Sequence, residues 1–105
     1  MKIVGVTSCP SGVAHTYMSA EALRTAASEH NIEVKVETQG LSGIETELTQ
    51  NEIDEADFVV LTTDTSILGI DRFKGKKAIK IKARELIDYA DDLIEQLIDT
   101  YQNKL

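Results

Sequence analysis

Apolar and polar residues along this chain follow a period that switches back and forth between strand and helix. Residues 2–8 form a short β-branched run ending in Thr7 and Ser8, the pattern of a buried strand. Residues 14–30 are rich in helix formers, with Ala14, Met18, Ala22 and Ala26 at every fourth position. That spacing predicts a helix whose small-residue face lies close against a sheet, with Met18 in the core. Residues 32–38 alternate apolar and charged, as in a strand with one covered face or at an edge. Thr49 and Glu52 have capping-box spacing and open a short helix to about Ala56. The continuous apolar run Phe58, Val59, Val60, Leu61 predicts a central parallel strand buried on both faces. Residues 69–77 read as a loop with one helical turn at Asp71, Arg72 and Phe73, before a short strand at 78–81. Residues 84–103 carry the clearest helical period. Leu86, Ala90, Leu93, Leu97 and Tyr101 form a stripe widened by Ile94 and Ile98, opposite an acidic wet side of Asp88, Asp91, Asp92, Glu95 and Asp99.

Strands alternating with helices imply a single-domain, three-layer, Rossmann-like α/β fold over residues 1–105. The expected core is a four-stranded parallel sheet in the order 2-1-3-4 with helices on both faces. Ligands of such sheets bind beyond the carboxyl ends of the strands, where strand order reverses. Four segments collect at that edge: residues 8–16, 39–43, 62–65 and 82–84.

Composition narrows the possibilities. The 105 residues are 42% apolar and 28% charged, ordinary for a soluble globular domain. No apolar run reaches the roughly 20 residues of a bilayer span, and no leader pattern is present, so a cytoplasmic protein is expected. Eleven Lys and Arg against eighteen Asp and Glu leave a net charge of −7, which opposes nucleic-acid binding. One cysteine excludes an intramolecular disulfide and a multi-thiolate zinc site. No His, Cys or Asp cluster has metal-ligand spacing along the chain, and no nucleotide-binding glycine motif follows the first strand, so neither metal nor cofactor is expected.

The lone cysteine stands where chemistry is expected. Cys9, Pro10, Ser11, Gly12, Val13, Ala14, His15 and Thr16 run from the first strand into the first helix. Backbone N–H groups of such a loop and of the helix N-terminus converge into an anion-binding nest. Gly12 supplies conformational freedom there and Pro10 fixes one backbone angle. The same N–H groups and helix dipole would stabilise a thiolate at the mouth of the loop. Ser11 and Thr16 add hydroxyl donors. A nucleophilic sulfur beside a cradle for phosphoryl oxygens suits phosphoryl transfer through a phosphocysteine. The bland alternative for Cys9, a buried small hydrophobe, does not call for Pro-Ser-Gly behind it. His15 is the candidate side-chain donor to the transferring group, or else a cap on the first helical turn. Gln39 is a candidate for the edge of the site and Asp64 for orienting the loop, unless each is an ordinary turn residue. Arg72 is expected to anchor its own loop, and His30 to sit exposed near the end of the first helix.

The Cys9-to-Thr16 loop, the run Val36-Glu37-Thr38-Gln39-Gly40 and Asp71-Arg72-Phe73 together resemble the fructose-type IIB component of the bacterial phosphoenolpyruvate-dependent sugar phosphotransferase system. The resemblance runs from Lys2 to about the middle of the last helix. Ser11 and Val13 stand where the family commonly has threonine and isoleucine, and residues 65–69 match no family pattern. The resemblance implies that Cys9 takes a phosphoryl group from a phosphohistidine on a IIA protein. It then passes the group to fructose or a fructose-like sugar bound in the membrane transporter IIC, with which this chain associates transiently. Two alternatives stand beside it. A low-molecular-weight tyrosine phosphatase also places a cysteine loop after its first strand. It needs an arginine six positions after the cysteine, where this chain has His15, and a later Asp-Pro, whereas Pro10 is the only proline here. A regulatory IIB-like domain would sense a partner without turnover, and its sign would be a missing cysteine or a blocked loop.

Overall fold

In the computed structural model, which describes residues 1–10 and 14–103, strands and helices alternate except where two strands follow one another directly. The order is β1 (Lys2–Ser8), α1 (Ala14–Glu29), β2 (Glu33–Gly40), β3 (Gly43–Glu45), α2 (Gln50–Glu55), β4 (Phe58–Thr62), a 3₁₀ turn (Ile70–Phe73), β5 (Ala78–Ile81) and α3 (Ala83–Asn103). The sheet runs β3-β2-β1-β4-β5. Its β2-β1-β4-β5 part is parallel and is the expected 2-1-3-4 order. The expected sheet of four strands is corrected to five, because β3 folds back antiparallel on β2, pairing Thr38 with Glu45 and Gly40 with Gly43. Three exposed residues carry no apolar pattern by which a sequence reading could find that strand. What defines it is the turn, with Gly43 at φ 93°.

Side chains alternate across β1, so two cores form. Ile3, together with Val36 and Val60, faces α1 and α3, whereas Val4 and Val6 face α2 and the 3₁₀ turn with Ile53, Val59, Leu61 and Phe73. Gly5 lets α1 approach closely, since a Cβ there would lie 3.0 Å from Leu23 Cδ2 and 3.3 Å from the Val60 carbonyl. The stripe on α3 is as expected, with Leu86, Ala90, Leu93, Ile94 and Leu97 buried. The Thr49–Glu52 capping box is present in both directions.

The face expected of α1 is corrected. Its buried residues are Thr16, Ser19, Ala20, Leu23, Ala26 and Ala27, while Ala14 is exposed and Met18 is 54% exposed. An every-fourth-residue row advances about 40° per step around a 3.6-residue helix, so residues 14, 18, 22 and 26 wind off any one face. The true stripe includes Thr16 and Ser19, which are buried because their hydroxyls have partners. Ser19 Oγ donates to the His15 carbonyl at 2.6 Å. Asn31, in the left-handed region at φ 57°, ends α1, and Ile32 N–H donates back to the Ala27 carbonyl.

Tertiary packing also makes a cluster invisible along the chain. His30 Nε2 lies 3.0 Å from Asp91 Oδ1, and Glu95 joins them so that one ligand-type atom of each falls within 4.8 Å of the others. Among the described residues, no helix is long and apolar enough to cross a membrane.

Candidate functional site

The apolar run of β1 delivers the chain to the carboxyl edge of the sheet, where polar side chains take over and are buried. Each has a partner. Thr7 Oγ1 donates to the Thr16 carbonyl at 2.8 Å, fastening the end of β1 to the first turn of α1. Ser8 N–H donates to Thr62 Oγ1 at 2.9 Å, and that hydroxyl donates to the Ser8 carbonyl at 3.2 Å, fastening β1 to β4. Among the described residues, no buried side-chain polar atom lacks a hydrogen bond.

Cys9 follows directly and is 5% exposed. Thr16 Oγ1 donates to Cys9 Sγ at 3.1 Å. A hydroxyl aimed at sulfur supports negative charge on it, and the positive end of the α1 dipole acts in the same direction. Thr16 therefore joins Cys9 at the site. Ala14 and His15 are exposed at the start of α1, and Pro10 is exposed after Cys9. Ser11, Gly12 and Val13, the centre of the expected cradle, lie outside the described residues.

In front of the sulfur is a cavity of about 260 Å³ with three walls. Ser8, Cys9 and Pro10 form one; Gln39 and Gly40 with Leu41, Gly43 and Ile44 of the β2–β3 hairpin form the second; Thr65, Ser66 and Leu68 form the third. Gln39 lines the second wall of this cavity. Asp64 is elsewhere: Oδ1 accepts from Ala83 N–H at 2.6 Å and caps α3. None of the described lining residues is charged. An anion here would be held by N–H groups, hydroxyls and the helix dipole, as the net charge of −7 requires.

Arg72 anchors its loop, and it does so on a group the sequence reading missed. Glu37, 0% exposed in β2, receives both arms of the Arg72 guanidinium at 2.8 and 2.9 Å. Leu48 N–H and Gln39 Nε2 also donate to it, at 2.9 and 2.7 Å. Burial pushes this carboxyl up, but the hydrogen bonds from Arg72, Leu48 and Gln39 outweigh burial and hold it below the usual carboxylate range. In an alternating strand a charged residue reads as facing water. The usable signal was Arg72, a cation needing a partner across the fold.

The lactose/cellobiose-specific IIB subunit family of the phosphotransferase system (PTS) matches residues 4–96. The PTS system fructose-like EIIB component 2 of Escherichia coli K12 is 48% identical over 96 residues, covering 91% of each chain. The PTS system fructose-specific EIIABC component of Bacillus subtilis is 41% identical over 98 residues, which make up 93% of this chain and 15% of that one. The solution structure of an enzyme IIB subunit of the Escherichia coli K12 PTS superposes with a TM-score of 0.91 at 33% identity, covering 98% of this chain and 95% of that one.

Proposed function

The chain belongs to the IIB family of the phosphotransferase system and so has a phosphoryl-transfer role in sugar uptake; from that premise we propose that Cys9 itself carries the phosphoryl group. In the first half-reaction the Cys9 thiolate attacks phosphorus on the phosphohistidine of a IIA protein. The S–P bond forms as the N–P bond breaks, and the ring, protonated on its other nitrogen, leaves as neutral imidazole. In the second, a hydroxyl oxygen of a fructose-like sugar held by IIC attacks phosphorus. The S–P bond breaks, the thiolate is regenerated, and the hydroxyl proton is released. Neither half requires a metal or cofactor.

The observation that carries this reading is the placement of Cys9 Sγ at the carboxyl end of β1, beside the start of α1, with the Thr16 hydroxyl donating to it and, in front, a cavity whose described lining is uncharged. Ser11, Gly12, Val13 and the backbone up to Thr16 would hold the phosphoryl oxygens. The name of the Bacillus subtilis relative joins A, B and C components, which supports a IIA donor and a IIC acceptor as partners here. Residues 1–105 would act as a single IIB unit at the cytoplasmic face of the transporter. Both partners must reach one sulfur, so they dock alternately on the same rim, through small contacts. Exposed Tyr17, Met18, Leu41, Ile44 and Leu68 supply apolar surface for that. A hydrolase reading finds no arginine among the described residues that line the cavity, and Arg72 is committed to Glu37.

Incubation with phosphoenolpyruvate, the general phosphotransferase proteins and a cognate IIA should add ~80 Da, one HPO₃, to the intact protein. Peptide mapping should place it on Cys9. Absence of the adduct, or an adduct on a peptide lacking Cys9, defeats the reading. His15→Ala should slow this transfer by roughly tenfold with an unchanged melting temperature, since the side chain is exposed and acts only on the transferring group. An unchanged single-turnover rate would leave His15 as a helix cap.

A further inference from the structure

The third wall of the Cys9 cavity, residues 65–68, belongs to no strand or helix. Its backbone therefore lacks the ladder that holds the other two walls, and Leu68 is held by side chains instead. Leu68 N–H donates to Gln39 Oε1 at 2.9 Å, and the Leu68 carbonyl accepts from Gln39 Nε2 at 3.0 Å and Arg72 at 3.2 Å. Arg72 Nε donates to the Gly69 carbonyl at 2.8 Å, and another arm donates to the Leu48 carbonyl at 3.2 Å. Gly69 is at φ 72°, and a Cβ there would lie 2.7 Å from Arg72 Nε, so only glycine admits the guanidinium. The guanidinium is fixed in turn by its two-armed grip on Glu37, rooted in β2. The wall is thus tied to the rigid sheet through one buried ion pair and one amide side chain, beside the apolar packing of Ile67 against the core on the α2 side.

We propose that Glu37, Gln39, Gly69 and Arg72 form a clamp that sets the position of the 65–68 wall, and with it the access of reacting groups to Cys9 Sγ. Glu37 and Arg72 are positioning residues: neither lines the cavity. The consequence for phosphoryl transfer rests on Cys9 being the carrier; the control of access to the sulfur does not. Lysine at position 72 keeps a charge for Glu37 but loses the planar fork that reaches Leu68, Gly69 and Leu48 together.

The test uses the sole cysteine as its own reporter. In Arg72→Lys, alkylation of Cys9 by iodoacetamide should accelerate about tenfold, because the buried sulfur becomes reachable through a loosened wall. The KM for phosphorylated IIA should rise about tenfold with kcat changed less than about twofold, as expected when docking geometry and not chemistry is lost. A folded Arg72→Lys protein with either quantity unchanged overturns the proposal. If that variant does not fold, hydrogen exchange of the wild-type Leu68 amide decides. Protection comparable to the β1 amides supports the clamp, and exchange as fast as in an exposed loop overturns it. If the wild-type protein accepts no phosphoryl group, the carrier reading falls, while alkylation and exchange still judge the clamp.

Discussion

Cys9→Ser leaves the protein folded and lowers its phosphorylation by at least about 10³-fold in a single-turnover assay with phosphorylated IIA. The substitution exchanges sulfur for oxygen at a position fastened by neighbours, with Thr7 bonded to Thr16 and Ser8 to Thr62, so the fold has little reason to change. The chemistry changes greatly. A thiol ionises at about pH 8.5 unperturbed, and its thiolate is the nucleophile; an aliphatic hydroxyl does not ionise near neutrality. A serine nucleophile needs a general base, and none of the described residues lining the cavity is a histidine or carboxylate. The Thr16 hydroxyl, which donates to the sulfur, is a hydrogen-bond partner and not a base at neutral pH. Intact mass against time reads the outcome. A serine variant gaining the ~80 Da adduct at the wild-type rate would move the carrier elsewhere.

Arg72→Ala costs about 3–5 kcal/mol of folding stability, because it strands an ionised carboxylate in the interior. Glu37 is 0% exposed, and without Arg72 it keeps only the Leu48 and Gln39 donors. For a domain of this size that is a fall in melting temperature of about 15–30 °C, a large share of a typical 5–15 kcal/mol total. Replacing both partners with leucine should recover much of the loss, since an apolar pair leaves no unpaired charge. It should not restore the wall at Leu68, which separates the stability of the pair from its positioning role. A drop below about 1 kcal/mol for Arg72→Ala would mean the carboxylate is rescued by water or protonation. The same group shapes the acid response. Glu37 is depressed in the folded state, so its contribution is complete above the ordinary carboxylate range and is lost as pH falls through its lowered value. Glu52 acts likewise. Hydrogen bonds from Lys35 and from Thr49 N–H hold it at about 2, so acid melting between about pH 4.3 and 2 should flatten in Glu52→Gln.

How far the sequence could be read depended on the range of the interactions involved. Elements set by local pattern were legible almost to the residue. Phe58–Thr62 follows from an apolar run, Ala78–Ile81 from a short β-rich stretch, and α3 from a sustained stripe. The capping box at Thr49 is a three-residue device and was visible as such. The meeting of Cys9 and Thr16 was legible, because strand, loop and helix start are adjacent in the chain. Met18 was misplaced because a row of four residues was followed where a helix turns every 3.6. Residues 65–69, which matched no pattern, prove to hold a wall of the Cys9 cavity through Leu68. They carry no signal of their own because their partners, Gln39 and Arg72, lie on other elements.

By itself the sequence determined the α/β alternation, the parallel order of four strands, and the place of the cysteine at the end of the first strand. The alternation and the cysteine's place depend on residues within one element or one turn of each other, and the strand order follows from the element sequence and the handedness of parallel crossovers. Only the tertiary structure decided that Glu37 faces inward, that Arg72 is its partner, and that a fifth strand and an irregular segment complete the cavity. Those outcomes rest on pairs separated by up to 35 positions, whose meeting is set by how the elements pack around the open sheet. A charge on a strand is read as exposed until the fold brings its counter-charge across to it.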